Sequence, residues 1–164
     1  MKTHSREDQT MIKEVYGNIM WSKSDAIVQG IARNEDFSRG LAASIKNEWP
    51  AIAQDFDACC CNGELQEGDV WIWENASGVN VINLITHGES SEASLSSLDK
   101  SLAALAELAK EKGLKSLAVP KVGTDVGDLD WRDVKPLIEK HLGAMSIPVY
   151  LYTIFQKNIA AVEE

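Results

Sequence analysis

The sequence predicts an α/β fold, a three-layer sandwich in which a mixed, mostly parallel sheet lies between helices. Three observations predict it. Short, nearly apolar runs such as Asp25-Ala26-Ile27-Val28-Gln29-Gly30 read as strands buried on both faces. Segments of helical period stand between such runs, clearest from Ser94 to Lys112. The elements run strands, helix, two strands, helix, strand, helix, strand, and that alternation yields a sheet covered on both sides.

The elements follow in order. A first strand spans Ile12 to Tyr16, and a second Asp25 to Gly30. From Gly40 to about Trp49 the pattern turns helical, with Leu41, Ala42, Ile45 and Trp49 on one face. Pro50 restarts the chain, and a loop carrying the cysteines is expected to lead to the next strand, Asp69 to Glu74. Gly78 turns that strand into another, Val79 to Thr86. In the helix from Ser94 to Lys112, Leu95, Leu98, Leu102, Leu105 and Ala106 form the apolar stripe and Gly113 ends it. Ser116 to Val119 is a buried strand. Asp130 caps a helix through His141, in which Pro136 is tolerable because it falls near the start. Ile147 to Ile154 is the last strand.

A chain of 164 residues with 45% apolar content suits one domain with an ordinary core. We expect a leader over residues 1–10, a domain over 11–155 and a polar tail over 156–164. The net charge of −9 argues against general nucleic-acid binding. No apolar run approaches the roughly 20 residues that span a bilayer, and Met1 to Thr10 lacks an apolar signal region. A cytoplasmic protein with no membrane partner is expected. Cys59, Cys60 and Cys61 are consecutive, which disfavours an unstrained disulfide. They read as a reduced, partly buried segment or, alternatively, as a metal or redox site. No second cluster stands at zinc-ligand spacing, so no metal is expected.

Two loops stand at strand ends, where sheets of this kind bind ligands. The first runs from Gln29 to Ala42 through Asn34-Glu35-Asp36-Phe37-Ser38-Arg39-Gly40-Leu41 and ends at a helix start. Free N–H groups and the helix dipole favour a phosphate there. The same residues also suit a plain connection with Ser38 as the cap. The second loop, Pro120 to Trp131, contains Gly123-Thr124-Asp125-Val126-Gly127 and reads either as an anion cradle or as a turn. Neither is a Walker loop or a dinucleotide fingerprint.

The ordered set of motifs resembles the macrodomain family. It comprises Gly17-Asn18-Ile19 after the first strand, Gly40-Leu41-Ala42 opening the first helix, and Pro120-Lys121-Val122-Gly123 followed by Leu129-Asp130-Trp131. The similarity runs from about Ile12 to Ile154 and is closest to the branch containing the terminal ADP-ribose glycohydrolase and the DarG antitoxin. The resemblance implies a macrodomain-like sandwich that binds ADP-ribose or an ADP-ribosylated macromolecule; a monomer without cofactor is expected. It implies that Asn18 accepts from the adenine amino group and that Ile19 offers backbone contact. Asn34, Phe37, Ser38, Arg39, Gly40 and Leu41 then flank the phosphates from one side, and Gly123, Thr124, Val126 and Gly127 from the other. Tyr152 or Phe155 packs on adenine.

The sequence departs from that branch where catalysis is concerned. His87, not a lysine, follows Leu84-Ile85-Thr86. An acid expected at the place of Gly127 stands instead at Asp125, where the family usually has glycine. Hydrolysis at the distal ribose needs a base and a group that supports the leaving group, and Asp125 and His87 are the candidates. The alternatives are a non-catalytic ADP-ribose reader and a phosphatase acting on ADP-ribose 1''-phosphate.

Overall fold

The computed structural model describes residues 11–60, 65–75, 78–88, 93–124 and 128–163. Among these, six strands form one sheet: β1 (Ile12–Gly17), β2 (Ala26–Ala32), β3 (Val70–Glu74), β4 (Asn80–His87), β5 (Leu117–Pro120) and β6 (Val149–Phe155). The helices are α1 (Gly40–Glu48), α2 (Ala51–Cys60), α3 (Leu95–Glu111) and α4 (Trp131–Leu142), and Ile19–Trp21 forms a 3-10 turn. The strands lie in the order β1-β6-β5-β2-β4-β3. Every neighbouring pair is parallel except β3 with β4. The sheet is therefore mixed and mostly parallel, as the sequence predicts.

Strand alternation divides the core into two layers. Ala26, Val28, Ile82, Leu84, Leu117 and Val119 face α3 and α4, against Leu98, Leu102, Leu105, Val134 and Ile138. Ile27, Ile31, Val81, Ile85 and Ala118 face α1 and α2, against Ile45, Ile52 and Phe56. A strand covered on both faces needs apolar residues at consecutive positions, which explains the continuous runs. The caps of α3 and α4 are Ser94, which accepts from Ser97 N–H, and Asp130, which accepts from Arg132 N–H at 2.8 Å. Among the described residues no helix is long and apolar enough to cross a membrane.

One element corrects the sequence reading. The segment after Pro50 is a helix, α2, rather than a loop. Ile52 and Phe56, four residues apart, are buried against the sheet, and Cys59 continues that face half-buried. Pro50 begins the helix instead of merely breaking the chain. Asp55 Oδ2 accepts from Trp73 Nε1–H at 2.7 Å, tying α2 to β3. Cys61 and the leader lie outside the described residues. No metal-ligating cluster occurs among the described residues.

The segment after β6 returns to the body. Asn18 N–H donates to Ile159 C=O at 2.8 Å and Gln156 N–H to Gly17 C=O at 3.2 Å. Glu163 accepts from Ser22 Oγ–H at 2.6 Å, from Tyr152 Oη–H at 2.5 Å and from Lys23 N–H at 3.0 Å.

Candidate functional site

Two adjoining clefts open at the carboxyl ends of β1, β2, β5 and β6. The larger, about 530 Å³, is lined by Gly17, Asn18, Ile19, Met20, Ser44, Tyr152, Phe155 and Lys157. The smaller, about 110 Å³, is lined by Gln29, Gly30, Glu35, Arg39, Thr86, His87, Lys121, Val122 and Gly123. Gly40, Leu41 and Pro120 border both. The result is one elongated groove with an aromatic end and a polar end that carries Arg39, Lys121 and His87.

The start of α1 lies between the two. Its N-cap residue is Arg39, and no side chain makes a capping hydrogen bond. The N–H groups of the first turn thus face the groove without a capping partner, and the helix dipole adds positive potential. Gly40 has φ +65°, a left-handed conformation that glycine adopts freely. The sequence reading of Ser38 as the cap is corrected here. Ser38 Oγ–H and N–H both donate to Asp36 Oδ1, at 2.7 and 3.1 Å. Those donors hold the Asp36 carboxyl below its ordinary value. Glu35 is likewise committed to its own turn: Oε1 accepts from Ala32 N–H at 3.2 Å and Oε2 from Phe37 N–H at 3.0 Å. Both acids of this loop therefore shape it, which accounts for two carboxylates beside a cradle that suits an anion.

His87 ends β4 and is 4% exposed. Its Nδ1 lies 2.9 Å from Thr86 Oγ1, and Thr86 Oγ1–H donates to Ile31 C=O at 3.3 Å. With the threonine proton so directed, Nδ1 carries the imidazole proton and Nε2 keeps the lone pair. Burial lowers the His87 pKa, opposed by the charges of Glu35 and Glu67. The ring is therefore neutral at neutral pH. A histidine held neutral in the fold favours the native state above its unfolded value. That contribution is lost as pH falls from the ordinary histidine value of 6.5 through the lower folded one. We expect the wild type to lose more stability than His87→Gln in that window, measured by thermal melting at stepped pH. Equal slopes would contradict the burial effect.

The predicted residues distribute as follows. Asn18, Ile19, Arg39, Gly40, Leu41, His87, Gly123, Tyr152 and Phe155 line the groove. Asn34 and Ser38 are exposed on the first loop away from its lining. Phe37 is not brought to the groove: at 3% exposure it packs edge-on to Phe56, with ring centroids 5.5 Å apart, at φ +56°. Thr124 closes its own turn by donating from Oγ1 to Lys121 C=O at 2.8 Å. Asp125, Val126 and Gly127 lie outside the described residues. Gly123, at φ +79°, makes the bend into this loop.

Sequence reasoning missed Gln29, Thr86, Lys121 and Lys157. The available signal was a polar residue inside an apolar strand. Gln29 is 2% exposed, and its Nε2–H donates to Asn83 Oδ1 at 2.7 Å. Gln29 Oε1 has no hydrogen-bond partner among the described residues. Lys121 Nζ sits 5.5 Å from the centre of the Trp131 ring, which orients it at the groove edge.

Comparison with known proteins agrees with this architecture. A DNA ADP-ribosyl transferase-DNA ADP-ribosyl glycohydrolase fusion protein of Thermosipho africanus is 25% identical over 91% of this chain and 43% of its own length. The human ADP-ribose glycohydrolase OARD1 is 24% identical over 80% of this chain and 84% of its own length. Among solved structures, the macrodomain of Thermus aquaticus DarG superposes with a TM-score of 0.78 at 22% identity, covering 87% of this chain and 98% of that one. Thermosipho africanus DarTG in complex with ADP-ribose gives 0.82 at 24% identity, covering 91% of this chain and 43% of that one. This chain thus spans less than half of the fusion protein that it matches. The Macro domain family model matches residues 33–138, well over half of the 164 residues, and the chain belongs to that family.

Proposed function

We propose that this macrodomain binds ADP-ribose along the groove and hydrolyses the bond that joins the distal ribose to a modified macromolecule. The observation that carries the reading is the uncapped start of α1 between an aromatic cleft and a polar one. A pyrophosphate at that helix end places a base toward Asn18, Tyr152 and Phe155 and the distal ribose toward His87. Arg39, Gly40 and Leu41 contact the phosphates on one side, and Gly123, Thr124, Val126 and Gly127 approach from the other. Ile19 contributes a backbone contact at the base. The named activities of the relatives, DNA ADP-ribosyl glycohydrolase and ADP-ribose glycohydrolase, support this substrate class.

For the chemistry, Asp125 serves as the base that takes the proton of a ribose hydroxyl or water, that proton passes to the departing group as the glycosidic bond breaks, and His87 accepts a hydrogen bond at Nε2 that orients the attacking hydroxyl or water. Neutral His87 with its proton on Nδ1 presents the Nε2 lone pair as an acceptor. The protein works without metal or cofactor, as a cytoplasmic monomer.

The test is release of free ADP-ribose from ADP-ribosylated single-stranded DNA and from an ADP-ribosylated protein. We expect release from at least one. Asp125→Ala should slow it by at least about 100-fold while ADP-ribose affinity stays within about threefold, under 1 kcal/mol. Tight ADP-ribose binding with no release by the wild type would sink the hydrolase reading and favour a reader. The histidine in place of a lysine after Thr86 is the observation on that side.

A further inference from the structure

The amide of Asn18 is held at both ends by the protein. Its Nδ2–H donates to Lys157 C=O at 2.8 Å, and its Oδ1 accepts from Met20 N–H at 3.0 Å. Exchanging the two ends would set two oxygens 2.8 Å apart and leave two N–H donors facing each other. The polarity of the side chain is thus locked, and an aspartate could not make the same pair of contacts. Asn18 is 9% exposed and borders the larger cleft. Nδ2 carries a second N–H and Oδ1 a second lone pair beyond these contacts.

The lock depends on the segment after β6, since Lys157 belongs to it. That segment is anchored beyond Lys157 by Glu163, whose carboxylate gathers the Ser22 and Tyr152 hydroxyls and the Lys23 N–H. Burial first, and then the Glu163 contact, raise the Tyr152 pKa, so its hydroxyl remains a donor. The segment also presses on the end of β1. A Cβ at Gly17 would lie 2.8 Å from both Ala161 N and Ile159 O.

We infer that the C-terminal segment sets which purine edge the cleft accepts, by locking Asn18, and that Glu163 is a positioning residue for that selectivity. The inference rests on the proposed reading that a purine sits at Asn18. Adenine offers a donor at its 6-amino group beside an acceptor at N1. A 6-oxo purine offers the reverse order. A locked amide matches one of these edges, whereas an amide free to flip matches either.

The experiment compares calorimetric affinities for ADP-ribose and for its hypoxanthine counterpart, inosine diphosphate ribose. The wild type is expected to favour ADP-ribose by about tenfold or more, the discrimination a base-edge pair supplies. Glu163→Ala is expected to reduce that ratio to about threefold or less, mainly by gaining affinity for the hypoxanthine ligand. Glu163→Gln keeps an oxygen for both hydroxyls and should retain most of the ratio. Gly17→Ala displaces the same segment from the other side and serves if Glu163→Ala does not fold. A merely structural role would weaken both ligands together and leave the ratio unchanged, and that result overturns the inference. Equal wild-type affinity for the two ligands overturns it as well, while leaving the ADP-ribose reading intact. Failure of the wild type to bind either ligand counts against the ADP-ribose reading itself.

Discussion

Gly40→Glu is expected to abolish ADP-ribose binding, with a loss of at least about 100-fold in affinity. Two effects add. Position 40 has φ +65°, and a side chain there costs about 1–2 kcal/mol in a left-handed conformation. The larger effect is electrostatic. Gly40 opens α1 where both clefts meet, so the new carboxylate would stand beside a bound pyrophosphate. Two like charges about 4 Å apart repel by about 4 kcal/mol at an effective dielectric of 20. The new acid would also compete for the free N–H groups of the first turn. Calorimetry measures the loss, and a melting curve separates it from unfolding. Affinity within about threefold of the wild type would show that the anion does not sit at this helix end.

Leu102→Ala is expected to give the largest stability loss that a single truncation in α3 produces. Leu102 is fully buried between Leu98, Leu105 and the sheet. Removing its branched end leaves a cavity in a close-packed layer, at a cost of about 3 kcal/mol. For a chain of this size that corresponds to a fall in Tm of about 6–12 °C. Chemical denaturation checks it, and a loss below about 1 kcal/mol would contradict the packing described for this face. The far smaller effect expected of an exposed ion pair, such as Lys112 with Glu74 at 3.6 Å, sets the contrast.

These two predictions differ in how directly the sequence foretells them. Leu102 belongs to an apolar stripe at helical spacing, and the burial of α3 follows from that period. The strands of the sheet are legible for a related reason: a run such as Val81-Ile82-Asn83-Leu84-Ile85 has no polar face to expose. The helix α2 is hidden because Pro50 looks like a break and because Gln54, Asp55 and Asp57 interrupt its apolar pattern. Only two large apolar residues, Ile52 and Phe56, carry its inner one.

The site was legible as two loops, through Gly40-Leu41-Ala42 and Pro120 to Gly123, because close backbone approach demands small residues at fixed places. Which side chains face the groove was not legible. Phe37 reads equally well as a ligand contact or a core residue, and only the position of Phe56 decides for the core. Ser38 reads as a cap until Asp36 is seen to take both of its donors. Gln29 and Lys157 enter the lining through contacts between distant segments, and no local pattern encodes such pairings. The same holds for Glu163, whose partners Ser22, Lys23 and Tyr152 come together only once β6 lies beside β1.

The groove under the start of α1 is the proposed ADP-ribose site. A calorimetric titration of the wild-type protein with ADP-ribose, run beside AMP and NAD, tests it most directly. One site per chain is expected, with affinity near micromolar, about −8 kcal/mol, and weaker binding of AMP, which lacks the second phosphate and the distal ribose. Absence of heat and of saturation with ADP-ribose at millimolar concentration would contradict it.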